Sequence, residues 1–299
     1  MSNNSNLNRA KKARNDEFYT MLSDIENELI HYLEHFKDKV VYCNCDDPRR
    51  SNFVKYFQMN FDKLNLKKLI ATGYKKDGRG LKLVYDSENK DANVEELEGN
   101  GDFRSEECVE LLKEADIVVT NPPFSIASLY MQQLIEHGKK FLIIGPLNLI
   151  AYKDTFPYFI KWQAWPGVNW VKSFTEPGGK IMKMGNVVWY TNLDHKKRHE
   201  KLVLTEKYDS VKYPKFDNYD AIEVGKYTDI PKDYAGVMGV PISYLMHHNP
   251  EQFEIVGELN GGSKNEFDYA EPFIDGKKKY TRILIRRKPV GENGKKPAA

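Results

Sequence analysis

The sequence predicts an α/β fold: a sheet covered by helices on both faces, followed by a smaller, loop-rich C-terminal region. Three observations predict it. Short apolar runs at 40–43, 68–72 and 116–120 alternate with stretches whose apolar residues recur at helical spacing. Turn-forming residues cut in directly after two of these runs, as Asn44-Cys45-Asp46-Asp47-Pro48 and Asn121-Pro122-Pro123. Beyond about residue 155 the alternation stops, and tryptophan, glycine and proline become frequent.

The elements follow in order. Residues 1–14 are polar, rich in Asn, Lys and Arg, and read as a mobile basic tail. Ile25, Leu29, Tyr32, Leu33 and Phe36 predict a helix over 23–36, with Ser23 and Glu26 as a capping box. A buried strand at 40–43 meets the polar turn at 44–48. A helix over 52–60, a strand at 68–72 and a further strand at 82–85, pairing at an edge, come next. Gly99-Asn100-Gly101-Asp102-Phe103 is turn-like. A helix over 106–114 leads into the strand ending at Asn121. A helix over 128–137 and a strand at 141–144 complete the alternation, which implies a parallel sheet. Later strands are expected at 186–190 and 281–285. The organisation is therefore a tail (1–14), an α/β domain (15–194) and a smaller, loop-rich region (195–299).

Composition narrows the classes. With 40% hydrophobic and 29% charged residues, the 299-residue chain can bury a sizeable core. A net charge of +2 means that any nucleic-acid face must be local. No apolar run is long enough to span a bilayer, and no secretory signal opens the chain. Three cysteines, Cys43, Cys45 and Cys108, are too few for a disulfide framework and lack zinc-knuckle spacing. His247-His248 shows no metal constellation. These features point to a reducing cytoplasm and no metal.

Asn121-Pro122-Pro123-Phe124 carries the chemistry. In open α/β sheets, ligands sit beyond the carboxyl ends of the strands, where this segment falls. Asn offers a side-chain carbonyl acceptor. Two prolines fix φ and remove competing backbone donors. Phe offers a flat apolar face for a base. The set suits an aromatic amine: Asn121 Oδ1 and the Pro122 carbonyl would accept its hydrogens, aim its lone pair and stabilise charge growing on nitrogen. The plain alternative is a rigid turn after a strand.

At these residues the sequence resembles the amino-methyltransferases with an Asn/Asp/Ser-Pro-Pro-aromatic signature, and more closely the EcoRI-type adenine-specific DNA methyltransferases. Asn15-Asp16-Glu17-Phe18-Tyr19-Thr20, the 40–48 segment, Gly101-Asp102-Phe103, Thr120-Asn121-Pro122-Pro123-Phe124, Val188-Trp189-Tyr190-Thr191-Asn192 and Gly239-Val240-Pro241 carry the likeness. It implies a Rossmann-like methyltransferase sheet as the catalytic domain (15–194), a target-recognition and DNA-binding region after it (195–299), S-adenosylmethionine as donor with S-adenosylhomocysteine as product, and adenine N6 in double-stranded DNA as acceptor. It also implies a bacterial or phage-encoded cytoplasmic enzyme, with a cognate restriction endonuclease as a candidate partner.

The resemblance assigns cofactor contacts to Phe18, Tyr19, Thr20, Cys45, Asp46, Asp47, Pro48, Asp102, Phe103 and Asn121. Asp46 or Asp47 is the natural counter-charge for the methionine ammonium. Asp102 would accept from the cofactor's adenine amine, with Phe103 packed on the ring. The first-strand turn lacks the usual glycines, and the acid expected to hold the ribose is not identifiable.

An adenine in a duplex must be flipped out to expose its amine. Phe124 is one candidate stacking wall, and Trp189 or Tyr190 the other. Neighbours in a strand point to opposite faces, so at most one of that pair can serve. Lys277, Lys278, Lys279, Arg282, Arg286, Arg287 and Lys288 are the candidate DNA contacts, with Arg9, Lys11, Lys12 and Arg14 weaker ones. The alternatives are an RNA base or a protein glutamine as acceptor, or a non-catalytic DNA-binding relative; an intact Asn121 segment argues against the last.

Overall fold

The computed structural model describes residues 19–90, 93–176 and 179–289. The expected N-terminal tail and Phe18 lie outside the described residues. The chain divides into two compact units, one ending at His195 and the other beginning at Lys196.

The first unit is a nine-stranded mixed sheet. Its strands are β1 (Tyr19–Thr20), β2 (Val40–Asn44), β3 (Lys68–Gly73), β4 (Leu81–Asp86), β5 (Glu95–Glu96), β6 (Ile117–Thr120), β7 (Lys140–Pro146), β8 (Trp165–Thr175) and β9 (Ile181–Thr191). They lie in the order β1-β8-β9-β7-β6-β2-β3-β4-β5. Only β7, β6, β2 and β3 run parallel to their neighbours in that central group; β4, β5, β9, β8 and β1 each pair antiparallel. The expectation of a parallel sheet thus holds for the centre and is corrected at both flanks. Helical crossovers produce parallel neighbours, whereas β4 and β9 return through connections with no long helix.

Both faces of the sheet are covered. Val41, Cys43, Leu69, Ala71, Val119, Leu142 and Trp189 join Ile25 and Leu29 of the Leu22–Leu29 helix and Phe53 and Phe57 of the Asn52–Met59 helix in one core. Alternate strand positions, among them Tyr42, Ile70, Val118, Ile143 and Tyr190, are fully buried on the opposite face. The Glu106–Glu114 and Ala127–Glu136 helices bury Cys108, Leu112, Tyr130 and Leu134.

The first helix is shorter than its periodicity predicts. It ends at Leu29, and a 3₁₀ turn at Leu33–His35 completes the apolar face. Its N-cap is Met21, with no side-chain cap bond, so the Ser23–Glu26 capping box is not formed. Glu28, one turn later, has another task. Its buried carboxylate accepts the backbone N–H groups of Val168 and Asn169 at 2.7 and 2.8 Å and the Tyr32 hydroxyl at 2.9 Å. It thereby satisfies backbone donors where the β8–β9 register shifts between Pro166 and Trp170.

The second unit contains β10 (Ala221–Glu223), β11 (Val237–Pro241), β12 (Phe253–Leu259), β13 (Asp268–Ala270) and β16 (Arg282–Arg287), in the order β10-β11-β16-β12-β13. Separately, β14 (Phe273–Ile274) and β15 (Lys277–Lys278) form a two-stranded hairpin. Its core gathers Phe216, Ala221, Leu259, Ile274 and Leu284. No helix among the described residues is long and apolar enough to cross a membrane.

Candidate active site

The chain leaves β2 to form β3 on one flank, then returns to form β6 on the other. The order reverses between β2 and β6, and such a switch point opens a crevice beyond the carboxyl ends of the strands. Asn44-Cys45-Asp46-Asp47-Pro48 leaves β2 there, and Asn121-Pro122-Pro123-Phe124 leaves β6.

The first turn works without its own glycine. Cys45 sits in the left-handed region at φ 68°, and its N–H donates to Asn44 Oδ1 at 2.8 Å. Asn44 Oδ1 also accepts from Thr72 Oγ1 at 3.0 Å. The close backbone approach is supplied by the neighbouring strand instead. A Cβ on Gly73 would lie 3.0 Å from Asp47 Cα and 3.2 Å from Pro48 Cδ. Gly101, at φ 79°, packs on Gly73 from another direction, so close that a Cβ there would meet the Gly73 carbonyl oxygen at 2.5 Å. Gly73 therefore lets the Asp46–Asp47 turn and the loop carrying Asp102 converge.

Asp46 and Asp47 differ. Asp46 is buried, and its carboxylate accepts from Ser51 Oγ at 2.8 Å and from Thr120 Oγ1. Burial pushes its pKa up to about 6, against the lowering effect of those hydroxyls and of the Asn121 backbone N–H. Asp47 is half-buried and accepts the Arg49 N–H at 2.9 Å. Asp102 accepts Arg104 Nε at 2.9 Å and Nη2 at 2.7 Å, and this pairing holds its carboxyl below the usual range. Phe103 is buried edge-to-face on Tyr130, with ring centroids 5.0 Å apart.

The Asn121-Pro122-Pro123-Phe124 segment starts half-buried at Asn121 and ends at the buried Phe124. Phe124 stands edge-to-face to Phe174, with centroids 6.0 Å apart, and Phe174 is the β8 partner of Thr20 in β1. The Tyr19-Thr20 strand is thus brought beside this candidate catalytic segment, although they are about a hundred residues apart in sequence. Asn52 Nδ2 donates to the Thr20 carbonyl at 2.7 Å and ties the strand to the helix that follows the first turn. Thr20 Oγ1 and Asn44 Nδ2, both buried, have no hydrogen-bond partner among the described residues. Buried polar atoms of this kind suit a polar ligand lodged between the turn and β1.

Two groups of expected residues are placed otherwise. Trp189 and Tyr190 are both fully buried. Trp189 packs edge-to-face on Phe53, and the Tyr190 hydroxyl donates to the Pro146 and Leu147 carbonyls at 2.8 and 3.1 Å. Phe53 thus covers Trp189 and Phe159 covers Tyr190, with centroids 5.6 Å apart in the second pair, so neither ring offers a face to a base: the stacking expectation for this pair is corrected to a packing role. Arg282 is likewise drawn inward. Its guanidinium bonds both oxygens of Glu223, with side chains only 11% and 13% exposed. Arg286 pairs with Glu254 at 2.9 Å and Lys278 with Glu271 at 2.6 Å, while Arg287 donates to the Lys232 carbonyl. Lys277 is exposed and Lys279 half-buried, and neither makes an ion pair among the described residues. Ser51 and Thr120 were not singled out by the sequence. Ser51 had a readable signal, as the polar residue before an apolar-periodic helix; Thr120 had none.

A switch-point crevice lined by an Asn-Pro-Pro-Phe segment and an acidic turn defines a class of transferase acting on an amine. The family described as adenine-specific methyltransferase EcoRI matches residues 6–288, and the chain belongs to that family. It is 48% identical to the Type II methyltransferase M.EcoRI of Escherichia coli, over 94% of this chain and 96% of that protein. It is 39% identical to the Type II methyltransferase M.MgeORF184P of Mycoplasma genitalium, over 95% and 99%, and 38% identical to M.MpnI of Mycoplasma pneumoniae, over 94% and 98%. No solved structure matches the chain significantly.

Proposed function

We propose that the chain methylates adenine N6 in DNA, with Asn121-Pro122-Pro123-Phe124 as the catalytic segment. The observation that carries this reading is the position of that segment at the β2/β6 switch point, in a chain belonging to an adenine-specific methyltransferase family. The strand order β4-β3-β2-β6-β7-β9-β8, with β9 antiparallel between β7 and β8, supports a Rossmann-like methyltransferase sheet. The second unit is the proposed target-recognition region. The Type II designation of the relatives supports a place beside a cognate restriction endonuclease.

The residues present fit S-adenosylmethionine, which supplies an electrophilic methyl group when bound. Tyr19, Thr20, Cys45, Asp47 and Pro48 would hold its amino-acid end. The buried, unsatisfied Thr20 Oγ1 and Asn44 Nδ2 provide polar partners, and the half-buried Asp47 a counter-charge. Asp102 and Phe103 would hold the adenine end.

Asn121 Oδ1 and the Pro122 carbonyl accept the two hydrogens of the target amine. Amine rehybridisation aims the nitrogen lone pair at the methyl carbon, and both carbonyls stabilise the positive charge that grows on nitrogen. The surplus proton leaves to solvent afterwards, so no strong base is needed before attack. Phe124 remains the proposed stacking wall, its ring braced by Phe174. Lys277 and Lys279 lead the proposed phosphate contacts.

The test is transfer of labelled methyl groups to DNA, RNA and protein acceptors. Label in DNA alone that disappears in Asn121→Ala, while cofactor binding persists, is the expected result. Label in RNA or protein, and none in DNA, overturns the reading.

A further inference from the structure

We infer that Asp46 is a positioning residue that locks the catalytic segment to the cofactor turn through Thr120 and Asn121, rather than a ligand of the cofactor's ammonium. The inference rests on the functional reading above and assigns roles to Ser51 and Thr120 as well.

The carboxylate has three donors. Ser51 Oγ donates to Oδ1 at 2.8 Å, Thr120 Oγ1 donates to Oδ2, and the Asn121 backbone N–H donates to the same carboxylate. The Ser51 proton has nowhere else to go, because Ser51 Oγ already accepts the N–H groups of Phe53 and Val54 at 3.1 and 3.4 Å as the helix N-cap. Asp46 is itself pinned, its N–H donating to the Thr72 carbonyl at 3.1 Å. One residue, through its backbone N–H and its carboxylate, thus joins four elements: β3 at Thr72, the turn after β2, the N-terminus of the Asn52–Met59 helix, and β6 where it becomes Asn121.

A carboxylate has about four lone-pair sites, and three here are taken by groups of this chain. Asp46 is only 7% exposed, so an ammonium would have little access to the remaining site. Asp47 lies half-buried beside it, its carboxylate accepting one hydrogen bond, from the Arg49 N–H, among the described residues, and is the better counter-charge. Keeping a charge buried beside the reacting segment opposes stability, as the upward push on its pKa indicates. What the charge provides is position. Asn121 begins immediately after Thr120, and a hydroxyl plus a backbone N–H held on one anchored carboxylate fix where its side chain starts. Misplacing a catalytic group by about 1 Å can cost about 100-fold in rate.

The experiment compares wild type with Thr120→Val, Thr120→Ser and Asp46→Asn by three readouts: single-turnover methyl transfer, cofactor Kd, and hydrogen exchange of the Asn121 amide in the cofactor-free chain. Thr120→Val removes the hydroxyl at nearly constant volume. It is expected to slow transfer about 10- to 100-fold, leave cofactor Kd within about 3-fold and speed Asn121 amide exchange about 10-fold. Thr120→Ser restores transfer and protection. Asp46→Asn shows the same pattern, since its amide presents a donor to groups that are themselves donors. Transfer at the wild-type rate in Thr120→Val overturns the inference. So does a loss of cofactor affinity in Asp46→Asn as large as its loss of rate, which marks an ammonium ligand. If Thr120→Val does not fold, Thr120→Ser and Asp46→Asn decide by the same readouts. A wild-type chain that methylates no DNA, yet protects the Asn121 amide in a Thr120-dependent way, overturns the functional reading and leaves the lock standing.

Discussion

The buried carboxylates Glu28 and Asp46 of the first unit and the basic stretch at 278–286 of the second use charge in different ways. In the first, buried carboxylates hold neutral donors: Glu28 grips the β8 backbone, and Asp46 grips Ser51, Thr120 and Asn121. In the second, cations are held by carboxylates: Arg282 by Glu223, Arg286 by Glu254 and Lys278 by Glu271. The difference matters for function. A carboxylate that accepts backbone and hydroxyl donors fixes local geometry, as a reacting site requires. An arginine already bound to a carboxylate is a poor free contact for a phosphate or a base edge. A cluster of basic residues in sequence therefore overstates the basic surface that remains: within it, Lys277 and Lys288 are the exposed cations with no ion pair among the described residues.

This contrast can be broken at several points. The largest effect is expected at Asn121. Asn121→Ala should lower single-turnover transfer at least about 100-fold, the scale of losing one preorganised polar group, with DNA and cofactor affinity within about 3-fold. Equal losses in binding would mean that the segment holds ligands rather than stabilises the reaction. Next comes Arg282→Met, which strands a largely buried Glu223. It should destabilise the second unit by about 2–4 kcal/mol in denaturant unfolding, while Arg282→Met/Glu223→Leu recovers most of that. A loss of DNA affinity without loss of stability would return Arg282 to the DNA-contacting set.

A smaller effect is expected from Glu258. This residue is buried on β12, accepts from Ser263 Oγ at 2.6 Å and Asn265 Nδ2 at 2.9 Å, and is pushed up by burial to about 7 from its ordinary 4.5. A carboxyl whose pKa is raised on folding favours the folded state fully below about pH 4.5, and that contribution disappears as pH rises through about 7. Glu258→Gln should therefore stabilise the second unit at pH 8 by about 1–2 kcal/mol relative to its effect at pH 4. An identical shift at both pH values would show that Glu258 does not titrate differently on folding. The smallest effect belongs to Lys277→Ala and Lys279→Ala. Each should weaken DNA binding only a few-fold, uniformly across sequences, and reduce the salt dependence by about one counterion. An unchanged salt slope would remove the hairpin from the interface.

Much of the first unit was legible in the sequence because its chemistry demands contiguous residues at strand ends. The strands ending at Asn44 and Asn121 could be located from short apolar runs, and the helix expected over 106–114 is found at Glu106–Glu114. What escaped reading depends on contacts between distant segments. Gly73 replaces the missing glycine of the first turn from a neighbouring strand, and Thr120 Oγ1 donates to Asp46, 74 residues away. Trp189 or Tyr190 was a candidate wall because strand alternation says which way a side chain points but not what packs on that face. Phe53, from a helix 136 residues earlier in the chain, covers Trp189, and Phe159 covers Tyr190. In the second unit, Glu223 and Arg282 are 59 residues apart and nothing local announces their pairing.

The central claim is that the Asn121 segment at the β2/β6 switch point methylates adenine in DNA. Its most direct test is nucleoside mass analysis of duplex DNA after incubation with the full chain and S-adenosylmethionine. The account predicts N6-methyladenine as the methylated nucleoside and its loss in Asn121→Ala. Methylation on cytosine instead, or an Asn121→Ala chain that methylates adenine as fast as the wild type, would contradict it.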